Sequence, residues 1–161
     1  MNKIREIMDK KDSVLFFDID GVLALMEWGE HTHFGLTDEE WKKYYEENNN
    51  LYGKECVIKR FQEYLKDRDM SRIYVITKAY SENEWEDKKN YAFKYYNIPK
   101  ENVYYVDKNV DKVKVMLKVR EQYPNLEEYK FVMIDDSVDV LTEIMNTTNF
   151  STAHVSSFVD M

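Results

Sequence analysis

The sequence predicts an α/β fold: a doubly wound, Rossmann-like parallel sheet of about five strands, with helices on both faces and a short insertion after the first strand. Short apolar runs alternate with helical patterns along the chain, an order that favours right-handed crossovers and parallel strand pairing. Each apolar run also ends at a polar residue. The four clearest runs are Val14–Phe17, Ile73–Ile76, Val103–Val106 and Phe131–Ile134, followed directly by Asp18, Thr77, Asp107 and Asp135.

The first run is the most informative. Val14–Phe17 contains no polar residue, which is typical of a strand that is buried on both faces. Asp18 follows at the strand end, where open α/β sheets bind their ligands, and Gly21 allows a sharp turn. The carboxylates of Asp18 and Asp20 repel each other unless a cation or a transferred proton makes the pair useful. An ordinary solvated turn is the alternative, and the rest of the chain favours a functional site.

Helical patterns with an apolar face fill the chain between the strands. The pattern predicts helices over Val57–Leu65, Asn83–Tyr96, Val110–Tyr123 and Val138–Met145. A weaker fifth strand is expected in Ala153–Ser156. The chain therefore alternates strands and helices from end to end, apart from one segment.

That segment is the insertion, residues 24–56, which we expect to form a short cap or flap over the catalytic end of the sheet. A polar helix is predicted from about Thr37 to Glu47, because Thr37 and Glu40 form a capping box. The insertion is too short for a separate domain, so residues 1–161 are expected to form one domain. Its aromatic rings could stack on a base or line a leaving group, or only pack against the strand ends; they are Trp28, His31, His33 and Phe34.

Composition narrows the class of protein. A chain of 161 residues with 43% hydrophobic residues is long enough to bury a core. A net charge of −8 argues against binding to nucleic acid polymers or anionic membranes. The only cysteine is Cys56, so an internal disulfide is impossible and a reducing compartment fits. With no signal-peptide pattern in residues 1–13 and no apolar run of membrane-spanning length, we expect a cytoplasmic location.

The polar residues at the strand ends match the requirements of phosphoryl transfer. Asp18 could attack phosphorus as a nucleophile, and Asp20 could protonate the leaving oxygen and later deprotonate water. A hard cation such as Mg²⁺ would reduce the repulsion between Asp18 and the phosphoryl oxygens. Three further groups could assist: the Thr77 hydroxyl on a phosphoryl oxygen, the Lys112 ammonium on another, and the pair Asp135 and Asp136 on the metal.

These motifs, in this order, resemble the haloacid dehalogenase (HAD) superfamily of phosphotransferases. They are Phe17–Val22, Tyr74–Thr77, Lys112 and Val132–Asp136. The resemblance implies that Asp18 is the nucleophile and Asp20 the acid–base residue. It implies that Mg²⁺ is held by Asp18, the backbone carbonyl of Asp20, and Asp135. Because a large cap domain cannot fit in this chain, it is most similar to minimally capped members, including small 5′-nucleotidase-like proteins.

Several alternatives stay open at this point. The phosphate-binding lysine could be Lys112, Lys114 or Lys78. A receiver-type signalling domain also combines acids, a threonine and a lysine, although in another order along the chain. A non-catalytic module that binds phosphate or metal is a second alternative, and a metal-dependent glycosyltransferase would explain only the Asp18–Asp20 pair. The expected partner is a small phosphorylated substrate; its identity and the oligomeric state do not follow from the motifs.

Overall fold

Five parallel strands form the central sheet of the protein. The structure, a computed structural model, describes residues 3–25, 36–48, 51–53 and 56–158. In chain order the strands are β1 (Val14–Phe17), β2 (Ala24–Leu25), β3 (Cys56–Val57), β4 (Ile73–Lys78), β5 (Val103–Val106), β6 (Phe131–Asp135) and β7 (Ser151–His154). The helices are α1 (Lys3–Met8), α2 (Asp38–Glu47), α3 (Lys59–Leu65), α4 (Glu82–Tyr96), α5 (Lys112–Arg120) and α6 (Val138–Thr147).

The sheet has the order β5-β4-β1-β6-β7, and every neighbouring pair in it is parallel. Strand β1 lies in the middle, where Phe16 is paired with Tyr74 on one side and with Met133 on the other. The chain proceeds from β1 towards one edge through β4 and β5, and then returns to the other edge through β6 and β7. This reversal opens a crevice at the carboxyl end of β1, which is where doubly wound sheets bind ligands.

Two hydrophobic cores, one on each face of the sheet, explain why β1 is apolar throughout. Leu15 and Phe17 point into a core that includes residues of α1, α3 and α4. Val14 and Phe16 point into the opposite core, which includes residues of α5 and α6. Full burial of each such side chain contributes roughly 1.5–3 kcal/mol, so both faces stabilise the strand. The predicted fold class, a doubly wound parallel sheet with helices on both faces, is confirmed.

Several predicted element boundaries are wrong. The helix predicted over Val57–Leu65 begins at Lys59, because Val57 belongs to β3 and pairs with Ala24 of β2. The helix predicted over Val110–Tyr123 is shorter, because residues 109–111 form a separate 3₁₀ turn and α5 ends at Arg120. The fifth strand exists but lies two residues earlier than predicted. The N-terminal helix α1 was not predicted at all.

The insertion contains the predicted polar helix. Helix α2 begins after Thr37, whose hydroxyl accepts a hydrogen bond from the backbone N–H of Glu40, while the Glu40 carboxylate accepts one from the Thr37 N–H. The capping box is therefore confirmed. The short antiparallel pair of β2 and β3 lies at the two ends of the insertion. That residues 24–56 act as a cap stays a prediction, and four of its aromatic residues lie outside the described residues: Trp28, His31, His33 and Phe34.

None of the helices in the described part of the chain combines the length and the apolar character that crossing a membrane requires.

Candidate active site

Asp18, the predicted nucleophile, lies directly after β1 and is held at both carboxylate oxygens. Its backbone N–H donates to the carbonyl of Ile134 at 3.0 Å, which fixes Asp18 against β6. Its Oδ1 accepts the backbone N–H of Ile19 at 2.7 Å, and its Oδ2 lies 2.9 Å from Nζ of Lys112. Only 12% of the side chain is exposed. Asp18 is thus a nearly buried carboxylate with a fixed orientation at the crevice.

Lys112 is the lysine that the structure brings to Asp18. Its side chain is 1% exposed, and Nζ lies 2.8 Å from Oδ2 of Asp135 as well as 2.9 Å from Asp18. Lys114 is 75% exposed and pairs with Asp111, away from this cluster. Of Lys112 and Lys114, it is therefore Lys112 that contacts Asp18, while its role in phosphate binding stays a prediction.

Three carboxylates meet at this point. Asp18, Asp135 and Asp136 can each place one oxygen so that all three oxygens lie within 4.8 Å of one another. Burial, opposed by Lys112 and reinforced by the charge of Asp135, raises the pKa of Asp18 to about 6. Burial likewise raises the pKa values of Asp135 and Asp136. One lysine does not compensate three crowded carboxylates, so this all-oxygen donor set fits a hard divalent cation such as Mg²⁺.

Gly21 is required by the close approach of Asp136 to the turn after β1. Its φ of +77° lies in the left-handed region, which side chains disfavour. A Cβ at this position would lie 2.3 Å from Oδ2 of Asp136. Any larger residue would therefore strain the turn and displace a carboxylate of the cluster.

Asp20 faces a different set of partners. The Tyr52 hydroxyl donates to its Oδ1 at 2.6 Å, and Nζ of Lys88 lies 2.7 Å from its Oδ2. The Asp20 carboxylate does not belong to the three-carboxylate cluster just described. That the backbone carbonyl of Asp20 binds a metal ion stays a prediction.

Thr77 and Lys78 end β4 but face different surroundings. Thr77 is fully buried, and its Oγ1 accepts a hydrogen bond from Lys88 at 3.3 Å. Lys78 is 24% exposed and pairs with Asp38 of the insertion at 2.9 Å. Burial opposes its charged form, but Tyr80 and Asp38 outweigh burial and raise the pKa of Lys78. Lys78 therefore links β4 to α2 at the rim of the site.

A cavity of about 260 Å³ lies over these groups. Its wall combines the strand-end acids, the described part of the insertion and the start of α4: Asp18, Asp20, Leu36, Asp38, Trp41, Lys78, Tyr80, Glu84, Lys88, Asn109, Asp136 and Ser137. Asp107, which also follows a strand, does not line it. The carboxyl ends of β1, β4 and β6 thus form the floor of the cavity.

Sequence reasoning missed the polar groups that α4 and the insertion contribute. Lys88 and Glu84 are both buried, and Lys88 lies between Glu84 and Asp20. Burial lowers the pKa of Lys88, but the charges of Asp20 and Glu84 outweigh it and the net shift is upward. A signal was available, because these residues occupy the same helical stripe as the buried Tyr91 and Ala92. Charged residues on a core-facing stripe indicate a buried polar site.

Comparison with known proteins supports the fold. No family model matches the sequence, and no curated protein matches it. A solved HAD-family enzyme from Bacteroides thetaiotaomicron, determined as a magnesium complex, is similar with a TM-score of 0.53 and 14% identity, over 90% of this chain and 93% of that chain. DsGPDH of Dunaliella salina is similar with a TM-score of 0.56 and 12% identity, over 94% of this chain. This chain spans only 24% of the DsGPDH chain. At these identities the likeness shows a shared α/β fold.

Proposed function

We propose that the chain is a Mg²⁺-dependent phosphatase that hydrolyses a small phosphorylated metabolite through an aspartyl-phosphate intermediate. The observation that carries the proposal is the setting of Asp18. This carboxylate ends the central strand, contacts the buried Lys112 at 2.9 Å, and shares a cluster with Asp135 and Asp136. A cleft with a fixed nucleophile, a buried cation and clustered carboxylates is suited to phosphoryl transfer.

In the first step an oxygen of Asp18 attacks phosphorus, and the bond from phosphorus to the leaving oxygen breaks. Asp20 gives its proton to that oxygen, so the leaving group departs as a neutral alcohol. In this proposal the hydroxyl of Thr77 and the ammonium of Lys112 bind phosphoryl oxygens. Lys112, whose Nζ lies 2.9 Å from Oδ2 of Asp18, also holds the orientation of that carboxylate. Lys78, at the rim, is available to the non-reacting part of the substrate.

In the second step water attacks phosphorus of the aspartyl-phosphate. Asp20, now a carboxylate, takes the proton of the water, and the bond between phosphorus and the Asp18 oxygen breaks to release inorganic phosphate. The side chains of Asp18, Asp135 and Asp136, with the backbone carbonyl of Asp20, would hold the metal. A bound Mg²⁺ would supply positive charge that reduces the repulsion between these carboxylates and the phosphoryl oxygens.

The topology disfavours the receiver-type alternative. Counted along the chain, the five strands of the main sheet lie in the order 3-2-1-4-5. Flavodoxin-like proteins, including the signalling protein CheY, have the order 2-1-3-4-5. A non-catalytic module that binds phosphate or metal is disfavoured by Asp20, because simple binding does not need an acid–base residue beside the nucleophile.

The cavity supports a small substrate. Its volume of about 260 Å³ is slightly below the range of roughly 300–1,000 Å³ that is usual for ligand sites. Trp41 and Tyr80 could contact a flat leaving group, while Lys78 and Asp38 could bind hydroxyl groups. Nucleoside monophosphates, as in a 5′-nucleotidase, and sugar phosphates are therefore the two substrate classes to examine first. A cytoplasmic location, which we also propose, would supply both classes of substrate.

The test is a phosphatase screen of the purified protein against phosphorylated metabolites and 4-nitrophenyl phosphate, with Mg²⁺ and with chelator. Release of inorganic phosphate only with Mg²⁺ supports the proposal. The Asp18→Asn variant, prepared in parallel, controls for contaminating phosphatases. An activity that survives in that variant would show that the turnover does not come from this site.

A further inference from the structure

Lys88 has an unusual environment for a lysine. It lies in the second turn of α4, and its side chain is 1% exposed. Its ammonium contacts four oxygens: Asp20 Oδ2 at 2.7 Å, Glu84 Oε1 at 3.0 Å, Thr77 Oγ1 at 3.3 Å and the carbonyl of Lys78 at 2.5 Å. Because an ammonium has three hydrogens, at least one of these is shared between two acceptors. Lys88 thus joins the carboxylate of Asp20 to the carboxyl end of β4.

Lys88 restricts the direction of Asp20. It binds Oδ2, the Tyr52 hydroxyl binds Oδ1, and the Lys88 ammonium also lies 5.4 Å from the centre of the Tyr52 ring. With a partner on each oxygen, the carboxylate cannot rotate without losing a hydrogen bond. A proton donor works only when it lies within hydrogen-bond reach of the leaving oxygen, so this restriction matters for catalysis.

Lys88 also determines how the Thr77 hydroxyl can act. Since the ammonium donates to Oγ1, that oxygen is an acceptor and its own hydrogen must point to another group. The contact of this hydroxyl with the carbonyl of Lys78 is long, at 3.5 Å. The hydroxyl hydrogen can therefore turn to a phosphoryl oxygen at little cost.

We propose that Lys88 is a positioning residue that holds the Asp20 carboxylate and the Thr77 hydroxyl in one fixed arrangement, so that the proton donor and a phosphoryl-binding group meet the substrate together. This inference rests on the proposed phosphatase function and extends it to a residue outside the four motifs. Lys88 acts through Asp20 and Thr77 rather than by touching the reacting atoms. Its loss is expected to damage the step that needs a proton more than the step that does not.

A purely structural role is the competing explanation, because Lys88 also neutralises the buried Glu84. Removing one partner of a buried ion pair leaves an uncompensated charge and destabilises a protein strongly, whereas removing both partners is often neutral. The Lys88→Met variant is therefore paired with the double variant Glu84→Gln/Lys88→Met. Lys89→Met is the matched control, because Lys89 is the next residue of α4, pairs with Glu86 and lies over the Trp85 ring outside the cavity.

The experiment measures kcat/KM with Mg²⁺ for two substrates, 4-nitrophenyl phosphate and a primary alkyl phosphate. The 4-nitrophenolate group leaves without a proton, whereas an alkoxide needs one. We expect the loss of Lys88, in both variants, to reduce kcat/KM for the alkyl phosphate by about 10²-fold, at least ten times more than for the aryl ester. In an Asp20→Asn background, the further effect of Lys88→Met on the alkyl ester should nearly disappear.

Thermal unfolding measured in parallel separates folding from positioning, because the double variant, which leaves no unpaired charge at position 84, is expected to melt at a higher temperature than Lys88→Met alone. Equal losses on both substrates, values equal to those of Lys89→Met, or an undiminished effect in the Asp20→Asn background would each overturn the positioning role. If the wild type hydrolyses neither ester, the proposed function fails, and the role of Lys88 fails with it.

Discussion

The candidate site has two sides, and each holds a buried lysine between two carboxylates. On the side of Asp18, the proposed nucleophile, Lys112 lies between Asp18 and Asp135; we refer to it as the nucleophile side. On the side of Asp20, the proposed acid–base residue, Lys88 lies between Asp20 and Glu84; we refer to it as the acid–base side. The nucleophile side has a third carboxylate, Asp136, and burial raises the pKa values of its acids. Both sides have further donors: the backbone N–H groups of Ile19 and Ser137 donate to Asp18 and Asp135, whereas the Tyr52 hydroxyl donates to Asp20, and the Trp41 indole and the Tyr80 N–H donate to Glu84.

This difference indicates where a cation belongs. Negative charge exceeds positive charge on the nucleophile side, so a divalent ion would relieve repulsion there. On the acid–base side one lysine faces two carboxylates instead of three, so the excess of negative charge is smaller and a further cation would relieve less repulsion. The two sides therefore resemble each other in composition but differ in what they can bind: one suits a metal and a phosphoryl group, and the other suits a positioned proton carrier.

The largest effect should come from the nucleophile. Asp18→Asn keeps the shape of the side chain but removes its nucleophilicity, so turnover of 4-nitrophenyl phosphate should fall by roughly 10³-fold or more. Circular dichroism should show an unchanged fold. Asp139→Asn, an exposed position on α6, is the control and should keep full activity. A variant at Asp18 that retains most of its turnover would contradict the aspartyl-phosphate mechanism.

Metal removal tests the assignment of the cation to the nucleophile side. A chelator should abolish activity, and Mg²⁺ should restore it better than Ca²⁺, because the larger ion takes more ligands and can draw both oxygens of Asp18 into its shell. Mg²⁺ titrations followed by activity and by thermal shift should show a much weaker affinity for Asp135→Ala than for Asp139→Ala. Equal activity with the two ions, or the reverse ranking of the variants, would place the metal elsewhere.

Substitutions of the two lysines at the start of α5 test which of them binds phosphate. Lys112→Met should lower kcat/KM for 4-nitrophenyl phosphate by about 10²-fold, because a buried charge near the transferring group is lost. Lys114→Met should have almost no effect, since this side chain is 75% exposed and only makes a surface ion pair with Asp111. Steady-state kinetics of both variants at saturating Mg²⁺ provide the comparison, and a larger loss at Lys114 would show that the phosphate-binding lysine has been misplaced.

The smallest expected effect concerns the stability of the metal-free protein. The pKa of Asp18 is raised from 3.8 to about 6 on folding, so its ionisation destabilises the fold as the pH rises through this window. In chelator at pH 7.5, Asp18→Asn should therefore be more stable than the wild type, by roughly 1–3 kcal/mol. The difference should shrink as the pH falls to about 4. Urea unfolding across this range measures it, and a difference independent of pH would mean that burial of the charge is not its cause.

Much of the fold followed from local patterns. Apolar runs such as Val14–Phe17 are long enough, and bounded clearly enough, for their strands to be recognised. The capping box at Thr37 was equally visible, because its two hydrogen bonds join residues only three positions apart. Boundaries failed where a distant segment decides them: Val57 looks helical by periodicity, but its pairing with Ala24 makes it a strand residue.

Residue type and short spacing were enough to identify the strand-end acids and their order along the chain. The contacts of the lysines depend on long-range packing: Lys112 rather than Lys114 reaches Asp18, and Lys88 reaches Asp20 across 68 positions of sequence. The physical reason is that the residues adjacent in sequence do not determine which carboxylate a long, flexible lysine side chain will contact. Its partner is chosen by the packing of helices α4 and α5 against the carboxyl end of the sheet.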